Sequence, residues 1–168
     1  MGTTQDLQQT AAIEKIQELV GAANICLFAT HLTKAPVSVR PMSTSKVDDE
    51  GFIWFFSKKD SDKNEHIQED DQVQLFYSNN SSSEYLSIFG HAEIVRDRNK
   101  IEELWTPLAK AWFTEGIDDP SITILKITPK EGYYWDTKNG KVISLIKIAA
   151  SVLTGKTSDN GIEGKVKI

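Results

Sequence analysis

With 168 residues, 39% of them hydrophobic and 26% charged, the chain is long enough for one domain with a proper core and has the composition of an ordinary globular protein. A formal net charge of −5 argues against general nucleic-acid binding, which needs a basic face to displace counterions. The single cysteine, Cys26, leaves no internal disulfide framework and no cysteine-rich metal site, and it fits a reducing compartment.

The opening MGTTQDLQQTAAIEKIQ has neither the basic n-region nor the apolar h-region of a signal peptide, and no apolar run is long enough to span a bilayer. The localisation expected is cytoplasmic. Leu7, Ala11, Ile13, Ile16, Leu19 and Val20 recur at near-helical spacing, predicting an amphipathic helix closed by Gly21. Short segments rich in β-branched and aromatic residues follow at 24–32, 36–47, 51–57, 72–78 and 84–96, separated by turn residues, with a hairpin signal in Asp48–Gly51. Two more strands are predicted at 121–128 and 132–136. Helices are predicted at 62–70, at 98–112 with a break at Pro107, and at 141–153. Residues 156–168, rich in Gly and Lys, read as a mobile tail, which leaves residues 1–155 as the domain. The fold class expected is α+β but mainly β: six to seven mostly antiparallel strands in a small barrel with peripheral helices, which the resemblance set out below makes a split barrel.

One strand is unusual. In GFIWFFS, Ile53 and Phe55 point to one face while Phe52, Trp54 and Phe56 point to the other, so it is apolar on both sides. An antiparallel strand with one wet face alternates apolar with polar, so the outer face here has to meet a helix, a ligand or a second subunit. A homodimer is the economical expectation.

The loop after that strand carries the candidate chemistry. Ser57 ends the strand, Ser61 stands at the N-cap of the next helix, and Lys63 lies in its first turn, where a cation opposes the helix dipole unless an anion is bound. Asp60, Asp62 and Glu65 are interleaved with the lysines, so a solvated helix start explains the same residues. In PVSVRPMS, Ser38, Arg40 and Met42 share one strand face, which places an arginine suited to bidentate phosphate recognition on the neighbouring hairpin strand. A surface arginine on an edge strand is the alternative.

Further landmarks follow in order over about residues 10–155: R-P-M at 40–42, W-F-F-S at 54–57, S-x-K at 61–63, Y-x-S-x-x-G-x-A at 85–92, W-x-x-x-x-K-A-W-F at 105–113, G-x-D-D-P at 116–120 and Y-W-D at 134–136. In these the chain resembles the general stress protein 26 group of the pyridoxamine 5′-phosphate oxidase-like, FMN-binding split-barrel family. The resemblance implies a homodimer with FMN in grooves between subunits. It implies that Arg40, Ser61 and Lys63 hold the phosphate, that Phe56 and Ser57 contact the ribityl chain and flavin edge, and that Pro41 and Met42 line the ring. Trp112 would contribute from the partner chain. A small-molecule electron donor or substrate is implied, without its identity. Thr114 stands where relatives often carry proline, and no arginine-rich substrate motif follows Asp136, so oxidation of pyridoxamine phosphate is not expected.

The remaining candidates read as structural. His31, His66 and His91 have no ligand spacing, so no metal site is expected, and His66 reads as exposed although it follows Lys63 by three positions. Cys26 in an apolar strand reads as a buried, inert thiol. No side chain stands out as a general acid or base, which suits chemistry carried by a cofactor. The residues leave open a flavin-sequestering protein without turnover, a cofactor-free dimer, and another split-barrel cofactor such as a deazaflavin or haem.

Overall fold

The computed structural model describes residues 3–137 and 161–168, and the helix predicted at 141–153 lies outside them. Two short strands, β1 (Thr3–Thr4) and β2 (Leu7–Gln8), lead into helix α1 (Gln9–Ala23). Gly21 does not stop this helix. Asn24 does, adopting a left-handed φ of 59° while its N–H donates to the Val20 carbonyl at 2.7 Å. Then come β3 (Ile25–Thr30), β4 (Ser38–Ser43), β5 (Lys46–Val47), β6 (Ile53–Lys58), α2 (Asp62–Glu69), β7 (Gln72–Asn79) and β8 (Glu84–Val95). Helix α3 (Arg98–Leu104) ends ahead of Pro107, and 3₁₀ turns at Ala109–Ala111 and Gly116–Asp118 precede β9 (Ile122–Thr137) and β10 (Gly161–Lys167).

β9 corrects the prediction of two strands at 121–128 and 132–136. Pro129 and Gly132 read as breakers, but a register shift absorbs the irregularity: Phe89 and Gly90, adjacent in β8, face Glu131 and Pro129, which leaves Lys130 as the extra residue on β9. A Cβ on Gly90 would lie 2.5 Å from the Thr128 carbonyl, so the close approach requires glycine. One edge of β9 pairs with β8; the other is shared, Ile122–Ile127 pairing with β6 and Glu131–Thr137 with β10. The sheet runs β1–β10–β9–β8–β7–β3–β4, antiparallel except where β10 pairs in parallel with β1 and β2. Among the described residues no ladder joins β4 to β6, so the sheet stays open between them.

Of the segment expected as a mobile tail, 156–160 lie outside the described residues and 161–167 are paired in the sheet. Residues 161–167 form β10, with Gly164 and Val166 turned inward. Glycine at 164 is a packing requirement, because a Cβ there would collide with the Gln5 carbonyl.

The barrel interior is filled by Ile16 and Leu19 of α1 with Phe28, Ile53, Phe55, Leu75, Ile88, Leu125 and Ile127, and Phe28 meets Phe55 edge-to-face at 5.3 Å. Each such side chain contributes about 1.5–3 kcal/mol when fully buried. Outside β6 lies a second cluster: Trp54, Ile122 and Ile124 pack with Ile101 and Leu104 of α3 and with Phe113, and Phe56 meets Trp105 edge-to-face. The outer face of the two-sided apolar strand is therefore covered chiefly by α3 and the segment after it, within one chain. No helix among the described residues is long and apolar enough to cross a membrane.

Candidate functional site

The gap between β4 and β6, with the N-terminus of α2 at one end, forms a cleft of about 760 Å³. That volume lies in the range of small-molecule and cofactor sites, roughly 300–1,000 Å³. Arg40, Pro41, Met42, Phe56, Ser57, Ser61, Lys63 and Trp112 all line it, so every residue singled out from the sequence is brought to one place. Trp112 reaches it on the same chain, from the exposed end of the first 3₁₀ turn, beside Leu108 and Phe113.

Arg40 reaches the cleft because β4 alternates, turning Ser38, Arg40 and Met42 away from the exposed Val39 and Pro41. Its Nη1 donates to Thr30 Oγ1 at 2.7 Å and its Nη2 to Ser38 Oγ at 2.6 Å. Lys63 is placed by the first turn of α2. Burial, followed by the charge of Arg40, pushes its ammonium below the ordinary lysine value, and burial alone lowers Arg40. Asp62 opposes both shifts without forming an ion pair; among the described residues neither cation has a carboxylate oxygen within 4 Å. Two partly desolvated cations placed side by side without a counter-ion disfavour each other, and an anion between them removes that penalty.

Ser61 occupies the N-cap backbone position, but its hydroxyl makes no capping bond to the helix. It sits 3.2 Å from Ser57 Oγ and donates to Asn64 Oδ1 at 3.3 Å. Ser57 Oγ donates to Asn64 Oδ1 at 2.6 Å, Asn64 Nδ2 donates to Thr123 Oγ1 at 3.0 Å, and Thr123 Oγ1 donates to the Ser57 carbonyl at 3.0 Å. Ser57, Asn64 and Thr123 are buried, so this polar knot pins the start of α2 to β6 and β9. It fixes the spacing of Ser57, Ser61 and Lys63.

Sequence reasoning did not find Asn64, Thr123, Thr30 or Lys58. An asparagine inside a helix, where its propensity is poor, was the one available hint. His66 is half-buried instead of exposed: its ring stacks on His31 at a centroid distance of 3.6 Å, and its Nδ1 lies 2.9 Å from Thr30 Oγ1. Cys26 is buried and its thiol is pushed up to about 12 by desolvation, as expected of an inert group.

The fold, a mainly β sheet left open to form a cleft, is that of split-barrel proteins of flavin-binding type. The profile of the family described as pyridoxamine 5′-phosphate oxidase like matches residues 11–159, and the chain belongs to that family. A structure from Jannaschia sp. CCS1, described as a general stress protein 26, is 28% identical with a TM-score of 0.80, covering 92% of this chain and 97% of that one. A general stress FMN/FAD binding protein from Xanthomonas citri shares the fold at 22% identity and a TM-score of 0.66, covering 76% and 90%. Protein bli-3 of Neurospora crassa is 24% identical over 112 residues, 62% of this chain; the match spans about half (54%) of that curated relative's length.

Proposed function

We propose that this protein is an FMN-binding, general-stress-type flavoprotein that works as a cytoplasmic homodimer in redox chemistry with a small-molecule donor or substrate. The observation that carries the reading is the Arg40–Lys63 pair, without a carboxylate partner among the described residues, beside Ser57 and Ser61 at one end of a cleft whose other walls are largely apolar. A phosphomonoester joined to a flat aromatic ring has that polarity. In this reading Arg40, Ser61 and Lys63 hold the phosphate, Ser57 and Phe56 meet the ribityl chain and the flavin edge, and Pro41, Met42 and Trp112 flank the ring. FMN supplies hydride or electron transfer when bound. Among the described residues no Asp, Glu or His lines the cleft, in keeping with chemistry borne by the cofactor.

The dimer reading is supported by the outer face of β3, β4, β7 and the adjoining strands. Ile25, Leu27, Val39 and Phe76 are about half exposed there, with Tyr85 and Trp135 nearby, and Leu27 stands opposite both Pro41 and Phe76. An apolar patch of this kind marks an association surface.

The test is titration of ligand-stripped protein with FMN, FAD and riboflavin, following flavin fluorescence. FMN is expected to bind well ahead of riboflavin, and Arg40→Ala or Lys63→Ala should abolish that preference. Binding of none of the three refutes the reading. Anaerobic reduction of bound FMN by NAD(P)H would separate an oxidoreductase from a protein that only holds flavin.

A further inference from the structure

The structure points to more than a phosphate grip at Arg40, because the arginine is itself held from behind. We propose that Thr30 and His66 are positioning residues for the anion site, forming a directed hydrogen-bond chain that fixes the Arg40 guanidinium toward the cleft. The proposal rests on the flavin reading above for its ligand, but the chain of bonds is visible in the fold alone.

Its direction follows from donor chemistry. A guanidinium can only donate, so Arg40 Nη1 donates to Thr30 Oγ1 at 2.7 Å. Thr30 is fully buried, and its single hydroxyl proton needs an acceptor. His66 Nδ1 lies 2.9 Å away and accepts it when the ring is neutral with its proton on Nε2. The surroundings favour that neutral form: burial, His31 and Arg40 all disfavour the imidazolium, against Asp62 and Glu69 on α2 itself. The ring plane is fixed in turn by His31, which stacks on it with an interplanar angle of 25°. Glu69 Oε2 accepts from His31 Nε2 at 3.0 Å and from Lys34 Nζ at 2.7 Å. The hydrogen-bond chain thus runs from His66 through Thr30 to Arg40, and the His31 ring, itself held through Glu69, backs His66 by stacking alone. With Nη1 held by Thr30 and, at 3.4 Å, by the Phe28 carbonyl, and Nη2 by Ser38, the fork has a fixed orientation, and Nε–H and the second Nη2–H are left for a bidentate anion.

The test compares Thr30→Val, Thr30→Ser and His66→Phe with the wild type, measuring FMN and riboflavin affinity by fluorescence quenching. The ¹⁵N spectrum of the imidazoles and the Arg40 guanidinium signals are recorded alongside. Thr30→Val keeps the shape and removes the hydroxyl; His66→Phe keeps a stacking ring and removes the acceptor. Both are expected to weaken FMN about tenfold with riboflavin unchanged, while Thr30→Ser stays within about twofold. The spectrum should show His66 Nδ1 as an unprotonated acceptor in the wild type and lose that signature in Thr30→Val. Wild-type FMN affinity in Thr30→Val, or a proton on His66 Nδ1 in the wild type, overturns the proposal. A wild type that does not prefer FMN to riboflavin defeats the flavin reading instead; the imidazole and guanidinium signals then decide the positioning chain by themselves.

Discussion

Asn64→Ala tests whether the buried polar knot builds the cleft. The substitution removes the 2.6 Å bond from Ser57 and the 3.0 Å bond to Thr123, together with the weaker 3.3 Å contact from Ser61. Two good hydrogen bonds contribute about 1 kcal/mol each, and depriving the buried Ser57 hydroxyl of its 2.6 Å acceptor adds about 1 kcal/mol more, while Thr123 still donates to the Ser57 carbonyl. The expected loss of about 3 kcal/mol lowers Tm by about 6–12 °C in a domain of this size. Urea unfolding followed by tryptophan fluorescence measures it, with an unchanged m-value showing that the unfolded state is not the cause. Asn64→Asp adds a check. It keeps an acceptor for Ser57 but offers Thr123 no proton until the carboxyl is protonated, so its deficit should shrink on acidification. A loss below about 0.5 kcal/mol in Asn64→Ala would refute the reasoning, because the three side chains would then be adjacent without being coupled.

Three further outcomes are expected. Burial holds the Cys26 thiol at about 12 against an ordinary 9.0, so native protein should resist alkylation that proceeds readily in urea; the stability this provides is complete below pH 9 and is lost as pH rises toward 12, a slope that Cys26→Ala should reduce in a pH series of unfolding curves. Gly90→Ala forces a Cβ against the Thr128 backbone and should cost roughly 2–4 kcal/mol in the same unfolding assay, whereas Gly21→Ala, with open space around it, should be neutral or slightly stabilising. If the proposed homodimer forms through the exposed patch, Leu27→Asp, opposite Phe76, should halve the mass measured by sedimentation while leaving the monomer folded; an unchanged mass refutes association through this patch.

The candidate site was legible where its chemistry is local. The alternation of β4 fixes the side of Arg40, and the start of α2 fixes Ser61 and Lys63, both by spacing along a few residues. The parts that were not legible are non-local. Thr30, Asn64 and Thr123 acquire roles only when β3, α2 and β9 meet, and a single sequence carries no signal for such contacts. Trp54 shows the same limit from another side. Its outward face is covered, as the two-sided apolar pattern requires, but by α3 of the same chain and not by the second subunit that the pattern suggests as the economical expectation. β10 was hidden because Gly164 reads as flexibility, when its lack of a side chain is what lets the N-terminal strands approach.

The shared edge of β9 also sets an order in time. β6 carries Phe56 and Ser57, yet apart from the two-residue β5 its only partner in the described sheet is the first half of β9, far downstream in sequence. Thr123, which completes the knot around Asn64, arrives on that same strand. As the chain emerges during synthesis, β3, β4, β7 and β8 can pair while β6 waits with one long edge bare. The wall and floor of the cleft are thus among the last parts of the protein to take shape, and a chain interrupted before residue 122 would present a sheet of β3, β4, β7 and β8 with no pocket in it.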